Sequence, residues 1–145
     1  MTKPIDRRWY FLLSSGQRRV QRWVEDHMSK KDGITAAQAG LLFFLGSRDG
    51  ALIGEAAEAL DVAPSAMTGL VDRSERAGLV ERRPDAEDGR SLRLHLTERG
   101  REARSTAKAG LTEINEKLTD GFSAEEMEVV SRWLTSLSEK FRRAD

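Results

Sequence analysis

The chain has 145 residues, 39% of them hydrophobic, with 24 Lys and Arg against 24 Asp and Glu, so its net charge is zero. That length supports one domain with a core of its own. With no cysteine, disulfides, thiol redox sensing and cysteine-ligated metal are excluded, and no apolar run approaches the roughly 20 residues of a membrane span.

The apolar WYFLL near the N-terminus is too short for a secretory signal, so a cytoplasmic location and no membrane partner are the expectation. Charge is unevenly spread. Residues 1–31 carry eight Lys and Arg against Asp6, Glu25 and Asp26, a balance of +5. Residues 50–80 carry Arg73 and Arg76 against Glu55, Glu58, Asp61, Asp72 and Glu75, a balance of −3.

Ile5, Trp9, Leu12, Leu13, Gly16, Val20, Trp23, Val24 and His27 recur at steps of three and four, one face of a helix of about six turns. Thr35 and Gln38 form a capping box that starts a second helix. Its stripe is Leu41, Leu42 and Leu45, and 47–50 ends it. Residues 51–53 read as a brief extended piece and 54–60 as a short helix. A turn over 61–64 places Pro64 at the first position of the next helix, where its missing N–H costs nothing. That helix runs over 65–76 with Met67, Leu70 and Val71 inward, and Ala77-Gly78 closes it.

Strand-like stretches over 79–83 and 91–96 then flank a charged, glycine-containing tip. Thr97 caps a long helix with the stripe Ala103, Ala107, Leu111, Ile114 and Leu118. Gly121 breaks it. Ser123 and Glu126 form another capping box, and Met127, Val130, Trp133, Leu134, Leu137 and Phe141 mark a last amphipathic helix. The expected fold is mainly α with a small β-hairpin: a winged helix-turn-helix over 35–100, flanked by long terminal helices over 1–31 and 101–145. A helix can enter a major groove, and a thin polar ribbon beside it can reach the backbone or a minor groove.

The stretches "EAAEALDVAPSAMTGLVDRSERAGLVERRPDAEDGRSLRLHLTERG" and, more weakly, "ITAAQAGLLFFL" resemble the MarR family of bacterial winged-helix transcription regulators. Pro64-Ser65, Thr68, Leu70-Val71-Asp72-Arg73, Gly78 to Arg82, Asp88-Gly89-Arg90 and Leu96 to Gly100 carry the likeness in order. The resemblance implies a homodimer whose first and last two helices interleave, with Ile5, Trp9, Leu12, Trp23, Trp133, Leu137 and Phe141 at the interface. Burial between chains suits large aromatics with few partners inside a monomer; ordinary intramolecular packing is the alternative. The resemblance also implies a sequence-specific DNA-binding regulator, a repressor by expectation, acting on a pseudo-palindromic operator in double-stranded DNA. A winged-helix module that binds another protein through the acidic 50–80 segment is the alternative.

Pro64, Ser65, Ala66, Thr68, Gly69 and Arg73 are the expected DNA-facing positions of the second short helix. Arg73 has an ion pair with Asp72 or Glu75 as its alternative. In the family the arginine matching Arg90 enters the minor groove and the matching acid, here Asp88, holds it. Arg82, Arg83 and Arg93 flank the ribbon as expected phosphate partners. Two positions depart from the family pattern: Ala63, commonly Ser, cannot cap the helix, and Gly69, commonly basic, offers no side-chain contact. Members often release DNA when a small aromatic or anionic effector binds between the dimer helices and the DNA-binding lobe; Tyr10, Leu13, Gln17, Arg18 and Phe44 are the residues for such a site, with plain core or interface as the alternative. The lack of cysteine excludes the peroxide-sensing branch. His27 reads as a packed or interfacial histidine and His95 as an exposed one, with no metal site at either. No carboxylate pair, nucleophile constellation or phosphate loop is present, so neither enzymatic activity nor a cofactor is expected.

Overall fold

The computed structural model describes residues 3–31 and 33–142. The first two and last three residues of the expected terminal-helix segments lie outside the described residues. The chain forms two compact units, 1–110 and 111–145.

In the first unit, α1 (Trp9–Lys31) is followed by α2 (Ala36–Ser47), β1 (Ala51–Leu52), α3 (Ile53–Ala59), α4 (Pro64–Arg76), β2 (Val80–Pro84), β3 (Leu92–Leu96) and the start of α5 (Glu98–Thr119). The second unit holds the end of α5 and α6 (Ala124–Lys140). Ile5 stands outside α1, contrary to the periodicity. Asp6 ends the preceding segment instead: its carboxylate accepts the Arg8 N–H at 3.0 Å and pairs with the Arg8 guanidinium at 2.7 Å. Those bonds hold the Asp6 carboxyl at a pKa of about 2, the Arg8 side chain being the larger cause.

The expected capping boxes form. Thr35 Oγ1 accepts from Gln38 N at 3.1 Å while Gln38 returns to Thr35 N at 2.9 Å, and Ser123 and Glu126 repeat the pattern. The α3–α4 turn closes through Val62 N–H to Ala57 O at 2.9 Å, with Asp61 in the left-handed region at φ 50°. An aspartate tolerates that conformation better than most residues.

The sheet has three strands, not the two of a bare hairpin, in the order β1-β3-β2 and wholly antiparallel. Val80 lies opposite Leu96 and Pro84 opposite Leu92. β1 adds Ala51 opposite Leu94, and Ile53 belongs to α3 rather than to the extended piece. Leu41, Leu42 and Leu45 of α2, Met67, Leu70 and Val71 of α4, and Val80, Leu94 and Leu96 of the sheet form one buried core. His95 is half-buried rather than exposed. It packs against Gly50, and its Nδ1 lies 3.7 Å from the Asp49 carboxylate, whose other oxygen accepts Leu96 N–H at 2.9 Å. β1 covers that edge of the hairpin, which alternation along β3 alone does not reveal.

The base of the ribbon is locked to α5. Thr97 Oγ1 donates to Gly78 O at 2.6 Å and accepts from Gly100 N at 2.9 Å, while Thr97 N–H donates to Leu79 O at 3.1 Å. Gly100 is buried, and a Cβ on it would overlap the Leu79 carbonyl oxygen. Neither the strand nor the helix backbone can yield there without breaking these bonds. Gly100→Ala is therefore expected to destabilise the fold by about 3 kcal/mol. Gly54→Ala, an exposed α3 position with nothing near the added methyl, should stay within about 0.5 kcal/mol of the parent. Denaturant unfolding of both variants measures the difference.

Candidate nucleic-acid interface

α4 presents one apolar face to the core and a small polar face to solvent. Pro64, Ser65, Ala66, Thr68 and Arg73 are exposed and Gly69 is half-exposed. Pro64 occupies the first helical position, and no side chain caps the helix at Ala63. The Thr68 hydroxyl donates to Pro64 O at 3.0 Å, so its oxygen remains as an acceptor. Arg73 pairs with neither Asp72 nor Glu75: residues one and two apart on a helix do not face each other, and both acids are engaged elsewhere.

They hold Arg82. One Arg82 guanidinium nitrogen bonds the Asp72 carboxylate, another bonds Glu75 Oε1 at 3.0 Å, and the Arg82 backbone N–H donates to Glu75 Oε2 at 3.1 Å. The Arg82 side chain is only 21% exposed. The Asp72 bond raises its pKa above the ordinary arginine value; partial burial opposes this, and Glu75 adds to the rise. Arg82 thus ties the ribbon to the helix as a strut, with its guanidinium already held by two acids.

Arg93 is committed in the same way. Its Nε donates to Asp85 Oδ2 at 2.7 Å and a terminal nitrogen donates to Gly50 O at 2.9 Å. Asp85 also accepts Glu87 N–H at 2.9 Å, the largest of the effects that hold its carboxyl below the usual range, with the Arg93 bond next. Arg83 pairs with Glu81 at the exposed face of β2. At the tip the Asp88 carboxylate accepts Arg90 N–H at 3.1 Å and Ser91 Oγ–H at 3.3 Å, and it lies 3.6 Å from Arg90 Nε. The Arg90 side chain is 96% exposed. Asp88 shapes the turn while leaving the guanidinium projecting.

The residues expected at an effector site are not gathered into one cavity. Gln17 and Arg18 line an open groove of about 290 Å³ along α1 with Gln21 and Arg22. Tyr10 and Leu13, both exposed, and Phe44, half-buried on α2, do not line it. Of the residues expected at the dimer interface, Ile5, Trp9, Leu12, Trp133 and Phe141 are exposed and Trp23 and Leu137 are partly buried. Trp23 stacks on His27, ring centroids 3.8 Å apart, so His27 is packed as expected. Among the described residues no group of three or more His, Cys, Asp or Glu could hold a metal ion, and no helix is long and apolar enough to cross a membrane.

The strut on Arg82 and the close approach of Gly100 to Leu79 are not legible in the sequence, whereas the Thr97 cap is. The available signal was acids at 72 and 75, one helical turn apart, followed by an arginine at the second residue beyond the strand start.

A helix-turn-helix with a β-ribbon directly after its second helix defines a winged helix-turn-helix protein. The MarR family model matches residues 32–91. The HTH-type transcriptional regulator YfiV of Bacillus subtilis (strain 168) is 30% identical over 134 residues, which are 92% of this chain and 79% of that protein. The HTH-type transcriptional repressor MdtR of the same organism is 37% identical over 71 residues, 49% of this chain and about half (46%) of MdtR. The crystal structure of a mutant MarR from E. coli complexed with operator DNA superposes with a TM-score of 0.78 at 25% identity, covering 87% of this chain and 90% of that one. The chain belongs to the MarR family of transcription regulators.

The strut gives a measurable contrast between two neighbouring arginines. Arg82→Ala should cost about 1 kcal/mol, because it removes the guanidinium bonds to Asp72 and Glu75 and the partly buried side-chain stem, while the backbone bond from residue 82 to Glu75 stays. Arg83→Ala removes a solvent-exposed pair and should cost less than about 0.5 kcal/mol. Thermal denaturation of the two variants side by side checks this ordering.

Proposed function

We propose that the chain is a DNA-binding transcription regulator, a cytoplasmic repressor without enzymatic activity, that acts as a homodimer on a pseudo-palindromic operator. The observation that carries this reading is the pairing of an uncommitted polar face on α4 with one fully projecting arginine, Arg90, on the adjoining ribbon. α4 is the element that fits a major groove, and an arginine fork on a ribbon tip suits a narrow, electronegative minor groove. MdtR is a repressor by name, and MarR is known bound to operator DNA; both support the same reading for this relative. Ser65, Thr68 and Arg73 are its groove-facing contacts and Arg90 its minor-groove contact, held by Asp88. Arg83, at the ribbon's exposed face, is a phosphate partner once released from Glu81. Pro64, Ala66 and Gly69 shape the helix surface, and Arg82 and Arg93 act through the scaffold.

Dimerisation rests on apolar side chains that each unit leaves in water. Trp9 and Leu12 of α1 are exposed, and α6 has no buried residue although it carries Val130, Trp133 and Leu134. A small aromatic or anionic effector is part of the proposal, with Arg18 as its cation and Tyr10, Leu13, Gln17 and Phe44 as the flanking residues. Sedimentation at low micromolar concentration should give a species of twice the 16.2 kDa chain mass. A folded species at the monomer mass overturns the dimer.

For the ribbon, Arg90→Ala should weaken binding to specific and scrambled duplexes alike, and flatten the dependence of log K on log salt by up to about one unit per site lost. Asp88→Ala should weaken binding less, in the same direction. Tighter binding on losing Asp88 would mean that this acid merely repels phosphate. Salt-titrated affinities separate these outcomes, and unchanged affinity for Arg90→Ala would place the ribbon off the DNA.

A further inference from the structure

The solvent-facing side of α4 carries no side chain at Gly69. That gap is occupied from one turn further on. Helical side chains lean toward the N-terminus and onto the turn before them, and Arg73 does so: its Nη1 lies 3.3 Å from where a Gly69 Cβ would be. A methyl there would only nudge the guanidinium, while a longer side chain would take its place. Asp72 and Glu75, one and two residues from Arg73 along the helix, do not face it and are both bound to Arg82. Arg73 therefore lies over Gly69, solvent-exposed and with no carboxylate partner among the described residues.

We infer that Gly69 is a seat for Arg73, and that Arg73, lying over it, reads a guanine in the major groove from the first half of α4. The inference rests on the DNA-binding reading above. A guanidinium fork matches the O6 and N7 acceptors of guanine, the commonest specific major-groove contact. A basic residue at position 69 would crowd and repel Arg73; glycine there gives up helix propensity and lets the later arginine reach the position.

The test is selection of binding sites from a randomised duplex pool. Affinities follow for the best site and for its single-base variants, using the full-length protein. The wild type should select a guanine at one symmetric position in each half-site, with its replacement costing about tenfold or more. Arg73→Ala should erase that preference. Gly69→Leu should erase the same preference while melting no lower than the wild type, because leucine favours helix over glycine. Gly69→Ala should keep it. The double variant Gly69→Leu/Arg73→Ala should lose no more than either single one, the mark of two residues acting as one unit. The inference is overturned if Gly69→Leu retains the guanine preference, or if Arg73→Ala weakens all duplexes equally, as a phosphate contact would. A wild type that binds no duplex overturns the DNA-binding reading itself; one that binds selectively without this guanine overturns only the inference.

Discussion

The approach of the Gly100 backbone to the Leu79 carbonyl is the constraint on which the lobe depends. At that point the chain leaves α4, begins β2, finishes β3 and starts α5, and Thr97 bonds all three local backbones through one hydroxyl and one N–H. The hydroxyl donates to Gly78 O and accepts from Gly100 N, so it caps α5 and ties down the strand entrance together. The core then follows. With Leu79 held, Val80 faces the core opposite Leu96, and a one-residue slip in this register would turn every buried strand side chain outward. A short β-ribbon is barely stable by itself in water; this one is anchored at its base by the junction and along its edge by β1.

A chain of zero net charge has to place its positive potential by deciding which cations stay free. Arg82 and Arg93 are spent inside the lobe, one on Asp72 and Glu75, the other on Asp85 and Gly50. Each is partly buried, where an unpaired charge would be costly. Arg83 faces solvent against Glu81, a pairing that contributes little. Of the arginines expected at the DNA, Arg73 and Arg90 keep their side chains exposed, on two different elements of one lobe. At the tip, Asp88 is turned into the loop by its bonds to Arg90 N and Ser91 Oγ.

Local chemistry was legible in the sequence wherever it is local in the structure. The two capping boxes, Pro64 at the head of α4, Gly121 after α5 with φ 85°, and the inward Met67, Leu70 and Val71 all depend on residues within one or two turns of each other. What escaped depends on approach between distant segments. β1 is only two residues long, and nothing in Ala51-Leu52 announces its pairing with Leu94 and Arg93. That pairing is what makes His95 half-buried and gives Arg93 the Gly50 carbonyl. Arg82 looked like a free cation because its partners lie on the preceding helix, seven and ten residues back. Ile5 matched the α1 stripe in spacing, yet Asp6 ends the segment by bonding Arg8. The resemblance to the MarR family marked Arg82 and Gly100 as matched positions without saying what either does.

The two departures from the family pattern, Ala63 and Gly69, act in the same direction. Ala63 offers no side-chain cap, so the first N–H groups of α4 keep their partial positive charge unspent. A serine there would satisfy one of them internally. Gly69 removes side-chain bulk from the same half of the helix. Each choice costs helix stability, by about 1 kcal/mol for the missing cap and a similar amount for the glycine. The core contacts of Met67, Leu70 and Val71 must supply what α4 lacks in intrinsic propensity. The outcome is a helix whose first two turns show mostly backbone and small side chains. On the DNA-binding reading, such a surface can come closer to a duplex than one bearing long side chains. Shape and backbone donors then set the docking depth, and the arginine from the next turn carries the base preference.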